Sequence, residues 1–200
     1  MNLVKLLFNG MESQIIKSSL SSHNDVIRSI DDKLIIKIGE VANVIVRCFK
    51  RGNKILICGN GGSAGDAQHI SAELVGRFVR ERIPLPSIAL TTDTSALTAI
   101  GNDYSFEDIF KRQIEALANN GDIILGISTS GKSQNIINAF EAGRLKSCTL
   151  IGLTGNGGGE FEKICDYNIV VPSNVTARIQ EAHILIGHII CEIIDENFKL

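Results

Sequence analysis

The sequence predicts a three-layer α/β domain: a doubly wound, five-stranded parallel sheet covered by helices, with more helices at the N-terminus. Three observations point there. Apolar runs of the length of buried strands recur at residues 55–57, 87–90, 123–127, 149–153 and 168–171. Segments with helical periodicity separate them, and strands alternating with helices specify a parallel sheet. Three of the runs end in loops rich in glycine or serine, the edge at which such sheets bind ligands.

Taken in order, residues 1–22 are weakly patterned, with Ile15, Ile16 and Leu20 among serine pairs, and predict a short helix packed on something larger. From Asp25 the apolar positions Ile27, Ile30, Leu34, Ile38, Val41, Ile45 and Phe49 step by three or four. They predict one long amphipathic helix closed by Gly52, with a stripe long enough to serve a neighbouring subunit as well as its own sheet. Ile55, Leu56 and Ile57 read as a strand with both faces covered. Gly59, Gly61 and Gly62 let the chain turn tightly, and Ser63 is placed to cap the helix that follows.

Pro84 and Pro86 bracket a turn before the second strand. Residues 91–100 predict a short helix that runs into Gly101, Asn102 and Asp103, and residues 106–118 a further helix ended by Asn119-Asn120-Gly121-Asp122. The third strand leads into Ser128-Thr129-Ser130-Gly131-Lys132-Ser133 and a helix to about residue 145. The fourth is followed by a glycine loop at 154–159, the fifth by a last helix over 176–197. Ile179, Ile184, Leu185, Ile189 and Ile193 are the apolar positions of that helix.

Two hundred residues at 44% hydrophobic content predict a single domain, with a helical segment over 1–52 used in oligomerisation and a sheet core over 53–200. A net charge of -2 with acids and bases interspersed provides no basic stripe, which argues against nucleic acid as a partner. The five cysteines are scattered singly and their count is odd, a pattern suited to reduced thiols in a cytosol. The opening apolar run is too short for a signal peptide and no later run reaches membrane length, so a cytoplasmic location is expected.

The motifs carry the chemistry. Gly59-Asn60-Gly61-Gly62-Ser63-Ala64 after a strand fits G-x-G-x-x-A, but the acid a dinucleotide ribose needs about 20 residues on is missing, since Asp93 lies too far along. What the loop does offer is a helix N-terminus with free amides and a hydroxyl, a site for an anion. Gly126 to Ser133 satisfies the P-loop pattern G-x-x-x-x-G-K-S. No apolar strand ending in an aspartate follows it to hold magnesium, whereas Ser128, Thr129, Ser130 and Ser133 gather four hydroxyls at a helix start, which suits one terminal phosphate.

His69 and Glu73 are four apart and share a helix face, with Cβ atoms roughly 5 to 6 Å apart; such a pair also occurs on ordinary amphipathic helices. On the last helix Gln180, Glu181, His183 and His188 are polar among isoleucines. Imidazole, carboxylate and amide donors can make a tetrahedral metal site. Gln180 and His188 are separated by eight positions, about 12 Å of rise, so one ion bound by both requires a bend or a site shared between subunits.

The chain resembles the sugar isomerase (SIS) domain family, and within it the phosphoheptose isomerases that act on sedoheptulose 7-phosphate. The residues carrying the resemblance are Cys58-Gly-Asn-Gly-Gly-Ser-Ala, Asp66-Ala-Gln-His-Ile-Ser-Ala-Glu-Leu-Val-Gly-Arg77, Gly101-Asn-Asp, Gly126-Ile-Ser-Thr-Ser-Gly and Arg178-Ile-Gln-Glu-Ala-His. It implies a flavodoxin-like fold and a cytoplasmic homotetramer with active sites between subunits. The activity it implies is conversion of the ketose to D-glycero-D-manno-heptose 7-phosphate, for heptose supply to lipopolysaccharide or capsule. Carried over by position, it also implies zinc, one per subunit, held by His69, Glu73, Gln180 and His188. The implied sugar-phosphate contacts are Asn60, Gly61, Gly62, Ser63, Glu73, Asn102, Asp103, Ser128, Thr129, Ser130, Ser133 and Gln180, with no nucleotide and no membrane partner. Two positions depart from the family: Lys132 replaces a more usual neutral residue, and Ala177 stands where some relatives have an acid.

Moving a carbonyl between C1 and C2 requires removal of a proton α to it and stabilisation of an enediolate. The expected roles are Glu73 as the base for that proton and His188 as acid and base for the neighbouring oxygens, with a bound zinc polarising the carbonyl. The competing readings are a non-catalytic SIS module that binds a phosphosugar or a bacterial replication initiator, and a P-loop nucleotide enzyme.

Overall fold

A computed structural model describes residues 10–200. The elements are α1 (Met11–Arg28), α2 (Asp32–Lys50), β1 (Ile55–Gly59), α3 (Gly62–Val75), β2 (Ser87–Ala89), α4 (Thr94–Asp103), α5 (Lys111–Leu117), β3 (Ile123–Ser128), α6 (Gln134–Leu145), β4 (Thr149–Thr154), α7 (Phe161–Ile164), β5 (Tyr167–Val170) and α8 (Thr176–Phe198). The strands form one sheet in the order β2-β1-β3-β4-β5, and every pairing is parallel. Strand order therefore reverses between β1 and β3, where a crevice opens at the carboxyl edge.

Alternation along the strands feeds two cores. Ile55, Ile57, Ile123, Leu125, Ile127, Ile151, Leu153 and Ile169 face α2, α3 and α8. Leu56, Cys58, Ile124 and Leu150 face α5 and α6, with Phe110, Phe140 and Phe161 filling that side. At Gly126 in β3 an added Cβ would lie 2.5 Å from both Ile136 and Phe140, so this glycine lets α6 pack on the sheet. The free cysteines Cys48, Cys58, Cys148 and Cys191 are buried, and burial raises their thiol pKa values.

The expected helix over 25–52 is two helices. Asp31 caps α2 by accepting from the Leu34 amide at 2.9 Å, and its extended backbone ends the helical path. The apolar step continues across the break because only Ser29, Ile30 and Asp31 separate α1 from α2. The short helix expected within 1–22 is the first part of α1, and the part of that reading on residues 1–9 lies outside the described residues. α1 lies against α8, where His23 Nδ1 is 2.8 Å from Glu181 Oε2 and Arg178 donates to the Ser19 carbonyl.

Two shorter helices also shift. The first, α4, starts at Thr94, capped by Asp93, so Asn102 and Asp103 are its last turn rather than the loop after it. Residues 106–118 divide into a 3₁₀ turn, Phe106–Asp108, and α5, because Ser105 caps the Glu107 amide and starts a tight turn of its own.

Candidate active site

The loops after β1 and β3 leave adjacent strands on the two sides of the strand-order reversal. Gly59 pairs with Ile127 in register, so the two loops emerge side by side. Gly61 has φ +54°, a conformation that glycine adopts without strain, and precedes the first turn of α3. Ser63 does not cap α3: Gly61 occupies the cap position and Ser63 is the buried second residue of the helix. A Cβ at Gly59 would meet the Ser63 carbonyl at 2.4 Å, so the turn is too tight for a capping side chain to bend back over it.

In the second loop Ser128 Oγ lies 2.9 Å from Ser133 Oγ and 3.5 Å from Ser130 Oγ, so the hydroxyls converge on one spot at the start of α6. Ser133 is the cap residue of α6, yet its side chain caps no amide and pairs with Ser128 instead. Asn156 Nδ2 and the Gly155 amide donate to the Thr129 carbonyl, at 2.9 and 3.2 Å, and pin the loop from the β4 side. Gly131, at φ +61°, passes so close to the Gly158 carbonyl that a Cβ would sit 2.0 Å from it. Hydroxyls and first-turn amides gathered this way suit a phosphate.

Asn135, which the sequence reading did not single out, joins the loops. Its carboxamide exchanges two hydrogen bonds with that of Asn60, each 2.9 Å. It is buried in the first turn of α6. A polar residue at a buried position of a helix is the only signal the sequence offers for it.

α3 and α8 run side by side in the same direction, as Gly62 meets Gln180 and Ile70 meets Gly187. This brings His69, Glu73 and His188 together, with one donor atom of each lying within 4.8 Å of those of the other two. His69 Nε2 is 3.2 Å from Glu73 Oε1 and 3.2 Å from His188 Nε2. Phe78 stacks on the His188 ring, centroids 4.9 Å apart and planes at 21°. Two imidazoles and a carboxylate are a donor set that can hold a divalent metal.

A match to the SIS domain family model spans residues 20–155. A phosphoheptose isomerase from Aliarcobacter butzleri is 56% identical over 189 residues, which cover 94% of this chain and 100% of that protein. The chain belongs to the SIS domain family, among its phosphoheptose isomerases. Structures agree: a phosphoheptose isomerase from Francisella tularensis superposes with a TM-score of 0.90 at 40% identity, covering 94% of this chain and 100% of that one. One from Neisseria gonorrhoeae gives 0.88 at 41% identity, covering 93% and 100%.

Within this SIS domain the remaining expected residues are distributed as follows. Gln180 does not join His69, Glu73 and His188; its Nε2 lies 2.6 Å from where a Cβ on Gly62 would be, at the other end of the paired helices. Asn102 donates to Asp103 at 2.8 Å on the exposed last turn of α4. Glu181 binds His23 and Arg178, and His183 is fully buried. Asp66, one turn before His69, has an unpartnered buried oxygen among the described residues. Burial raises its pKa, with the His69 charge opposing.

The P-loop pattern is accounted for by packing. Gly126 lies inside β3, two residues before the strand ends, so too little loop remains to wrap a triphosphate. Lys132 is exposed, and its backbone amide donates to Ser130 Oγ at 3.3 Å. No helix of the described residues is long and apolar enough to cross a membrane.

Proposed function

We propose that this chain isomerises sedoheptulose 7-phosphate to D-glycero-D-manno-heptose 7-phosphate, with the reacting end of the sugar at His69, Glu73 and His188. The meeting of these three side chains from two distant helices is the observation that carries the reading. The sugar's phosphate end is assigned to Ser128, Thr129, Ser130 and Ser133 with the turn Asn60–Ser63. Gln180 at Gly62 serves the middle of the sugar, with Asn102 and Asp103 as further polar contacts. From Gly62 to His69 is seven residues, on the order of 10 Å of helix, a length that a seven-carbon chain with a terminal phosphate spans.

The geometry suits zinc. At usual zinc–nitrogen lengths two tetrahedral ligands are roughly 3.3 Å apart, and both contacts of His69 Nε2 are 3.2 Å. His69, Glu73 and His188 would hold the ion. When bound, zinc supplies polarisation of the substrate carbonyl.

Glu73 has Oε1 turned to His69, which leaves Oε2 to take the proton from C1 of the ketose and return it to C2. His188 lies across the pair, and with Nε2 turned to His69 its Nδ1 is the atom that passes a proton between the two oxygens as the carbonyl moves. His69 orients both groups. The cluster is half-exposed on the outer face of α3 and α8, beside exposed Leu185 and Ile189, so it needs a second wall to exclude water. A neighbouring copy supplies that wall in a cytoplasmic homotetramer, packed through the exposed Ile15, Ile16 and Leu20 of α1 and Ile35 and Ile36 of α2.

The test is a coupled assay for D-glycero-D-manno-heptose 7-phosphate starting from sedoheptulose 7-phosphate, alongside light scattering. Turnover by a tetramer is expected. Saturable binding of the sugar phosphate without turnover, with zinc supplied, would refute the catalytic reading in favour of a phosphosugar-binding module.

A further inference from the structure

Between α3 and β2 lies a segment with little regular structure, residues 76–83, that is held down by one buried ion pair. Arg82 Nε donates to Asp195 Oδ1 at 2.6 Å, and both side chains are 0% exposed. The other oxygen of Asp195 accepts the amides of Val79 at 2.7 Å and Arg80 at 2.9 Å. The rest of the Arg82 guanidinium donates to three carbonyls: Glu73 at 2.5 Å, Gly76 at 3.2 Å and Ile83 at 2.8 Å. The first is a last-turn carbonyl of α3 and the second belongs to Gly76, the residue that caps it, so Arg82 finishes that helix at the residue whose side chain faces His69.

Two features tie this arrangement to the site. Phe78, next to the bonded Val79 amide, lies flat on His188, and Asp195 is two turns along α8 from His188. A buried pair of this kind is weak evidence for stability, because well-packed apolar residues often do as well or better. What it supplies here is direction, through hydrogen bonds with fixed geometry at both ends of the segment.

We infer that Arg82, Asp195 and Phe78 are positioning residues: the ion pair fixes the backbone of Glu73 and of the 76–83 segment, and Phe78 in turn fixes the ring of His188. Each of the three acts through another residue. The inference rests on the proposed isomerase reading, and its test separates the two.

Three variants, Phe78→Leu, Phe78→Tyr and Asp195→Asn, are compared with the intact protein and with Ile45→Val, a mild core truncation in α2 away from the segment. Zinc affinity is measured by competition with a chelator, and kcat and KM with sedoheptulose 7-phosphate. Groups that orient metal ligands typically cost 10- to 100-fold when altered. Phe78→Leu and Asp195→Asn should each lose about ten-fold or more in zinc affinity and in kcat, with KM changed little. Phe78→Tyr should restore both, and Ile45→Val should keep both. If Asp195→Asn fails to fold, Phe78→Leu decides. Wild-type zinc affinity and kcat in a folded Phe78→Leu would overturn the inference. Absence of turnover by the unaltered protein would overturn the isomerase reading instead, while the zinc measurements would still test the positioning.

Discussion

His69 Nε2 and His188 Nε2 lie 3.2 Å apart, although 119 positions separate the two residues in the chain. The contact exists because α3 and α8 both leave the carboxyl edge of the sheet and run side by side, so that about two turns along each helix from the Gly62–Gln180 contact bring their polar faces level. Glu73, one turn beyond His69, joins them. A strand order that reverses between β1 and β3 puts the serine loop beside the glycine loop at that same edge.

Glu73→Gln keeps size and hydrogen bonding but cannot accept a proton. General acid–base groups are typically worth 10² to 10⁴ in rate, so kcat with sedoheptulose 7-phosphate should fall by about that range while circular dichroism and phosphate protection against unfolding stay unchanged. Retained kcat in a folded variant would remove Glu73 from the proton transfer.

Asn135→Ala deletes one side of the reciprocal pair with Asn60 and leaves a part-buried amide unsatisfied. Leaving such a group unpaired costs about 1 to 3 kcal/mol, which urea unfolding should show. The two loops would no longer be held in register, so KM should rise more than kcat falls. An unchanged KM would mean that the bridge serves the fold alone.

Gly62→Ala places a methyl group 2.6 Å from Gln180 Nε2. The clash is with the far end of a flexible side chain, so the fold should survive and Gln180 should swing away. Thermal unfolding within a few degrees of the parent and a loss of kcat/KM are the expected pair of results. Full activity would show that Gln180 does not act from that position.

The sequence made the sheet and its loops legible because buried parallel strands are written as short apolar runs and their loops as glycine and serine. Its errors have local causes. The Ile27, Ile30, Leu34 step hid the break at Asp31, since three intervening residues keep the apolar faces in phase. Ser63 read as a cap because the geometry at Gly59 and Gly61, which excludes it, is not visible in residue names. Within the site, His69 and Glu73 were legible from their spacing, whereas their meeting with His188 depends on how two helices pack. Asn135 left only the trace of a polar residue on a buried helix face, and the Arg82–Asp195 pair left none, because long-range partners are not written periodically.

His183 sits fully buried in α8, and neither ring nitrogen reaches a hydrogen-bond partner among the described residues. Burial pushes its pKa down from 6.5 to about 4; the Thr154 backbone lies near enough to oppose this without making a full hydrogen bond. In the folded protein the ring is therefore neutral where the unfolded chain would bind a proton. A depressed pKa of this kind contributes its full stability above about pH 6.5, the unfolded value, and loses it as the pH falls toward the folded value. The slope is at most about 1.4 kcal/mol per pH unit in that window. Unfolding free energies measured between pH 7 and pH 4.5 should fall in the parent protein and fall less in His183→Leu, which cannot take up the proton. Parallel curves for the two proteins would show that His183 takes up its proton as readily in the folded state as in the unfolded chain.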